Sequence, residues 1–84
     1  MRILILGSGS FAGQVLFSKL MAKGLNVYGI NRSPLKTAYE WEWVKNCSNK
    51  INWYELNLHN QPEEFRELIK KIKPTHVIDF LGQG

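Results

Sequence analysis

The amino-acid sequence predicts an α/β fold, a doubly wound parallel sheet of four strands in the order 3-2-1-4 with helices on both faces. Apolar stretches of strand length alternate along the chain with segments in which apolar residues recur at helical spacing. A glycine-rich turn, GSGSFAG at residues 7–13, joins the first strand to the first helix. Because each strand is followed by a helical segment, crossover connections are expected to keep the strands parallel.

The bounds of the predicted elements follow from periodicity and from glycine and proline. Strands are expected at residues 2–6, 25–30, 51–56 and 75–81, and helices at 11–23, 35–47 and 62–72. Gly24 is expected to end the first helix in the left-handed conformation that glycine tolerates. Asn60 followed by Glu63 predicts a capping-box start to the last helix, and Pro74 predicts its end.

Residues 35–47 fit two patterns. Ser33 and Pro34 suit a helix cap and first turn, whereas Tyr39, Trp41 and Trp43 alternate with glutamates at strand period. We interpret the segment as a helix. Its aromatic residues suggest a nucleotide-stacking face, but packing in the core or at an edge is the preferred interpretation.

Composition limits the classes of function. The 84 residues fit one small domain, and their apolar runs are too short to span a bilayer. The first residues lack the pattern of a secretory signal, so a cytoplasmic protein is expected. The net charge of +4 is dispersed apart from Lys70, Lys71 and Lys73 at the end of a predicted helix, which argues against a nucleic-acid partner. Cys47 is the single cysteine of the sequence, and no metal site is predicted.

A ligand is expected at the carboxyl ends of the strands, at the switch point between the first and fourth strands. The segments that meet there are residues 7–13, 31–33 and 81–83. Gly7 suits the turn, and Gly13 lets the helix and the strand approach each other. Gly9 or Ser10 can lie against a pyrophosphate, an anion that the free N–H groups at the helix start favour.

The end of the second strand indicates which dinucleotide this site prefers. Asn31, Arg32 and Ser33 follow that strand, where an acidic residue would bind the ribose hydroxyl of NAD. Arg32 offers a cationic fork suited to the 2′-phosphate of NADP, and Ser33 adds a hydroxyl donor. The missing carboxylate therefore favours NADP, with NAD as the alternative. An exposed loop arginine beside a serine that only caps the next helix is the simpler structural explanation.

These motifs resemble those of the extended short-chain dehydrogenases/reductases, which include the nucleotide-sugar epimerases and dehydratases. Residues 7–13 are similar to the family's G-x-x-G-F-x-G opening, with Ser10 where the middle glycine is usual. Residues 54–58 resemble the Asp-Leu segment beside the adenine, with Glu55 in place of Asp. Residues 74–83 resemble the stretch that borders the cofactor ribose and phosphates. The predicted cofactor-binding residues are then Gly7, Gly9, Ser10, Phe11, Gly13, Asn31, Arg32, Ser33, Leu56, Leu81, Gly82 and Gln83.

The resemblance implies a Rossmann-like fold, an NADP(H) or NAD(H) cofactor and, in a full-length enzyme, a nucleotide-sugar substrate. The family's catalytic pair is a tyrosine four residues before a lysine. In these 84 residues the tyrosines are followed at that spacing by Arg32, Trp43 and Leu58. We therefore expect residues 1–84 to be the amino-terminal part of a dinucleotide-binding domain, inactive without the catalytic and substrate-binding parts.

Other titratable residues are assigned no catalytic role. Asp79 is expected to be a hydrogen-bonded structural carboxylate, and His59 and His76 have no partner in the sequence pattern. The fourth strand is as apolar as the first yet is expected at the sheet edge, which predicts either the front of a larger domain or self-association. Three alternatives stay open: an NAD(P)-sensing module without turnover, an adenine-nucleotide or flavin domain, and a structural fragment without a ligand.

Overall fold

A computed structural model of the chain describes residues 1–36, 39–47 and 50–81. Four parallel strands pair in the order β3-β2-β1-β4, which confirms the predicted topology. The strands are β1 (Arg2–Leu6), β2 (Asn26–Asn31), β3 (Asn52–Glu55) and β4 (His76–Asp79). The helices are α1 (Phe11–Ala22), α2 (Glu42–Asn46) and α3 (Pro62–Ile72). Most predicted ends are correct within one residue, but β4 is shorter at its carboxyl end because the chain turns at Leu81.

The central strand β1 is buried by helices on both faces of the sheet. On one face Leu4 packs with Ile30 and Leu56, and α3 covers them. On the other face Ile5 packs with Val27 and Phe17, and α1 supplies Phe17. Because successive residues of a strand point to opposite faces, the apolar run of β1 serves both cores.

Helix α1 ends in a Schellman motif around Gly24. The Gly24 N–H donates to Met21 O over 2.9 Å, and the Leu25 N–H donates to Leu20 O over 3.2 Å. Gly24 has a φ of 77°, so the predicted left-handed residue is confirmed. The motif adds donors to carbonyl groups in the last turn of the helix.

Residues 35–47 differ most from the expected structure. The predicted helix over this segment is wrong in extent, because α2 spans only Glu42–Asn46 and begins after Trp41. Ser33 and Pro34 do not start a helix. Trp41 stacks on Trp43 with ring centroids 6.1 Å apart, and Trp41 also meets Trp53 edge-on. These contacts hold Trp41 extended and confirm packing as the role of the tryptophans. The same prediction is wrong for Tyr39, which is 98% exposed because the predicted helix does not form around it.

The start of α3 also differs from the expected capping box. Gln61 is the N-cap residue and its side chain does not cap the helix. Instead, Gln61 Oε1 accepts a hydrogen bond from the Asn57 N–H over 2.9 Å, which ties the helix start to the loop after β3. Glu63 pairs with Arg66 over 3.0 Å rather than reaching back to the cap. Pro62 at the first helical position has no N–H group, so the uncapped helix start has one donor fewer that needs a partner.

Among the described residues, no helix is long and apolar enough to cross a membrane. The longest described helix, α1, has 12 residues, whereas a membrane span needs about 20.

We expect Gly24→Ala to lower the free energy of unfolding by about 1 kcal/mol, because an alanine resists the left-handed conformation. A Cβ at Gly24 would meet no atom within 4 Å, so the loss reports backbone strain alone. Urea denaturation measures it, and Lys23→Ala is the matched control because Lys23 has an ordinary φ of −84°. Equal stability of the two variants would contradict the assignment of Gly24 as a left-handed residue that alanine resists.

Candidate functional site

The turn after β1 is built around Gly7. With a φ of 78°, Gly7 takes the left-handed conformation expected of the turn residue. The Ile30 carbonyl at the end of β2 accepts hydrogen bonds from the Gly7 and Ser8 N–H groups, at 2.9 and 3.3 Å. A side chain at Gly7 would lie 3.2 Å from the Phe80 carbonyl carbon. The turn therefore lies between the carboxyl ends of β2 and β4.

Ser10 starts α1 at the place where the related motif usually has a glycine. Its hydroxyl Oγ accepts a hydrogen bond from the Gly13 N–H over 3.0 Å, which caps the helix. Its φ of −66° suits any residue, so a glycine is not required here. Gly13 is required, since a Cβ there would lie 2.5 Å from Gly7 O. The close approach at Gly13 is between the helix and the turn after β1, at Gly7 and Ser8, rather than between the helix and the strand itself.

The start of α1 leaves backbone donors available. No described residue accepts a hydrogen bond from the N–H of Phe11 or Ala12, and both residues are exposed. The Gly13 N–H is already used by Ser10. With the positive end of the helix dipole, the two available N–H groups can bind an anion.

Gly9 accommodates the side chain of Asn31. A Cβ at Gly9 would lie 2.6 Å from Asn31 Cγ, so any larger residue at this position would displace the amide. Asn31 Nδ2 also donates to the Ser33 carbonyl over 3.4 Å. The glycine thus joins the turn to the residues after β2, a contact that joins positions 22 residues apart in the chain.

A cavity of about 400 Å³ opens at the carboxyl ends of the strands, and the predicted site residues of the turn, Gly7, Gly9, Ser10, Phe11 and Gly13, do not line it. It is lined by Ile30, Asn31, Arg32, residues 56–59 and Leu81. Of the predicted site residues, Asn31, Arg32, Leu56 and Leu81 therefore meet here. Ser33 does not line the cavity, and its carbonyl accepts hydrogen bonds from Asn31 and Trp53. Gly82 and Gln83 lie outside the described residues.

The loop after β3 contributes residues that sequence reasoning missed. Asn57 and His59 line the cavity, whereas Glu55 is exposed and does not. Leu56, the predicted site residue of this segment, lines the cavity, and the lining continues through Asn57, Leu58 and His59. The His59 N–H donates to Asn57 Oδ1 over 3.0 Å, so Asn57 forms a turn with its own side chain. Asparagine favours such turns, and this signal could have located the loop from the sequence.

The other candidate residues lie away from the cavity. Asp79 is exposed and accepts a hydrogen bond from the Leu81 N–H over 2.7 Å, which confirms a structural carboxylate. His76 is exposed, and its ring lies 2.9 Å from Thr75 Oγ1. Within the described residues no group of His, Cys, Asp and Glu could hold a metal ion.

The sequence profile of the NAD dependent epimerase/dehydratase family matches residues 3–84. The chain therefore belongs to this family, and its membership supports a nicotinamide dinucleotide as the class of cofactor. No curated protein matches the chain.

The fold is also similar to a solved structure, the UDP-glucose 4-epimerase of Thermus thermophilus in complex with NAD. The TM-score is 0.74 and the sequence identity is 23%. The similarity covers 100% of this chain but only 25% of the epimerase chain. It supports the Rossmann-like fold, and the chain spans about a quarter of the length of that enzyme.

Ser8 gives a stability prediction at this turn. Its hydroxyl Oγ is fully buried over Gly29 and, among the described residues, has no hydrogen-bond partner. Removing a buried hydroxyl without a partner removes a desolvation cost, so Ser8→Ala should raise the free energy of unfolding by about 1 kcal/mol.

The neighbouring serine provides the control for this measurement. Ser10→Ala removes the cap of α1 and should lower the free energy of unfolding by about 1 kcal/mol. Both variants are compared by urea denaturation. A loss of stability in Ser8→Ala would mean that the hydroxyl has a partner.

Proposed function

We propose that this chain forms the NADP(H)-binding part of a nucleotide-sugar epimerase/dehydratase or a related reductase. The observation that carries the proposal is the cavity that Asn31 and Arg32 line, which is joined to the glycine turn by the contact of Gly9 with Asn31. Its volume of about 400 Å³ falls in the range of small-ligand sites. Membership of the epimerase/dehydratase family supports the dinucleotide class.

The two parts of the site suit the two parts of a dinucleotide. The N–H groups of Phe11 and Ala12 would bind the pyrophosphate, because no described residue uses them at the positive end of α1. The cavity would hold the adenosine, with Ile30 and Leu56 as its apolar wall. When bound, the nicotinamide supplies a hydride acceptor for oxidation at a sugar carbon.

Arg32 and Asn31 support a preference for the 2′-phosphate. A carboxylate at the end of β2 would repel that phosphate, whereas the amide of Asn31 carries no charge. Arg32 lines the cavity and its guanidinium can donate two parallel hydrogen bonds to phosphate oxygens. Gly9 supports the geometry, because its lack of a side chain lets the Asn31 amide lie at the turn.

The chemistry of hydride transfer would depend on residues that this chain does not contain. No tyrosine in the 84 residues precedes a lysine by four positions, so the chain offers no such general acid/base pair. We expect the chain alone to bind cofactor and to show no turnover with a nucleotide sugar.

Titration of the protein with NADPH and with NADH tests the proposal. Trp53 and Trp41 provide intrinsic fluorescence, and energy transfer to the reduced nicotinamide reports binding. Saturable binding of both dinucleotides with NADPH preferred is the expected result. If a folded sample binds neither dinucleotide, the chain is a structural fragment without a ligand. If a flavin or a mononucleotide binds in place of the dinucleotides, the chain is a flavin or adenine-nucleotide domain.

Arg32→Ala should weaken NADPH binding by about 1.5–3 kcal/mol and leave NADH binding nearly unchanged, since the lost hydrogen bonds are to the 2′-phosphate. Lys45→Ala is the matched control, because it also removes one positive charge but lies on α2 and does not line the cavity. Equal losses of binding free energy for NADPH and NADH would show that Arg32 does not select between the two dinucleotides.

We also propose that the chain self-associates through β4. This strand pairs with β1 on one side, and none of the described strands pairs with its other side. Val77 of β4 is 54% exposed, so the edge strand combines unpaired backbone groups with an exposed apolar side chain. In a longer protein, a further strand of the same sheet could cover this edge instead.

Analytical ultracentrifugation should show a dimer or a larger species of the 84-residue chain. Val77→Lys should shift the chain to monomer, because a charge on an edge strand opposes pairing. Tyr39→Lys is the control and should leave the association unchanged, because Tyr39 is 98% exposed and distant from β4 in the chain. A wild-type monomer at high protein concentration would refute self-association.

A further inference from the structure

The cavity contains a second residue that can carry positive charge. His59 lines it from the loop after β3, and Arg32 lines it from the end of β2. We propose that His59 is a second recognition residue for the 2′-phosphate, so that protonation of its ring strengthens binding of NADP(H) but not of NAD(H). The inference rests on the proposed function and extends it by assigning a pH-dependent selector.

Strand pairing brings the loops that carry the two residues side by side. β2 and β3 are adjacent and parallel, with Asn31 opposite Glu55, so the loops after both strands begin side by side. The Leu56 N–H donates to Asn31 O over 2.8 Å, which joins the two loops at the floor of the cavity. Arg32 from one loop and His59 from the other line the same cavity.

The backbone around His59 is held in position while its side chain stays exposed. The His59 N–H donates to Asn57 Oδ1, and the Asn57 N–H donates to Gln61 Oε1. The Asn57 carbonyl in turn accepts hydrogen bonds from the N–H groups of Asn60 and Gln61. Because the backbone of this loop is already ordered, binding through His59 would not have to order the loop, which favours its use in recognition.

No acidic side chain among the described lining residues would neutralise a protonated His59. Glu55, at the end of β3, is exposed and outside the cavity. Glu63 and Glu64, in the first turn of α3, line a different surface depression, and Glu63 pairs with Arg66. Arg32 is the charged residue that shares the cavity with His59, so a ligand anion would be attracted by both.

The oxygens of a 2′-phosphate can accept hydrogen bonds from both Arg32 and His59. A 2′-phosphate has three acceptor oxygens, and a bidentate arginine uses two of them. A protonated imidazole can donate to the third. Histidine changes charge between about pH 5 and pH 8, so this contribution is present at low pH and lost as the pH rises.

Binding of adenosine 2′,5′-bisphosphate and of 5′-AMP tests the inference without any catalytic step. Calorimetry at about pH 6 and about pH 8 compares the wild-type protein with His59→Gln at the same pH, which cancels titration of the ligand phosphate. We expect His59→Gln to weaken bisphosphate binding about tenfold at the lower pH and less than about twofold at the higher pH. Binding of 5′-AMP should not change.

Two further variants sharpen the test. His59→Lys should bind the bisphosphate tightly at both pH values, because lysine stays protonated throughout. His76→Gln is the matched control, an exposed histidine outside the cavity, and should behave as the wild type.

Equal bisphosphate binding by the wild type and His59→Gln at both pH values would overturn the role of His59 while leaving the proposed function intact. A wild-type protein that binds neither ligand, or binds both equally, would overturn the proposed NADP(H) site and this inference with it.

Discussion

The left-handed turn at Gly7 is the constraint on which the rest of the site depends. β1 is the central buried strand, and its chain must leave the sheet and enter α1 within a few residues. The φ of 78° at Gly7 allows this, and the Ile30 carbonyl holds the turn against β2. The helix start is thereby set beside the ends of β2 and β4, where its available N–H groups face the same edge as the cavity.

Glycine serves this site in three different ways. Gly7 supplies a backbone conformation, Gly13 permits the helix to approach the Gly7 carbonyl, and Gly9 leaves room for the Asn31 amide. Only the first two roles concern the turn itself. The third links the turn to the adjoining cavity, so a substitution at Gly9 would alter the lining of the cavity through Asn31. Ser10, by contrast, supplies a cap that a glycine could not.

Most of the fold could be predicted because several local signals agree. The apolar run of β1, the stripe of α3 and Gly24 each indicate one structure, and the connections between them leave few topologies. α2 could not be predicted in the same way. Trp41 and Trp43 pack with Trp53 and Phe17, residues remote in the chain, so the local pattern does not reveal their conformation. The position of Gln61 at the start of α3 was missed because its side chain bonds the preceding loop instead of its own helix.

The sequence by itself determined the strand order, the turn at residues 7–13 and the edge of the sheet where a ligand is expected. These features depend on periodicity and on glycine conformation, which act over a few residues. Only the tertiary structure decided that Asn57 and His59 line the cavity with Arg32, and that Gly9 receives Asn31. Such contacts depend on the register of neighbouring strands, which brings together residues that are far apart in the chain.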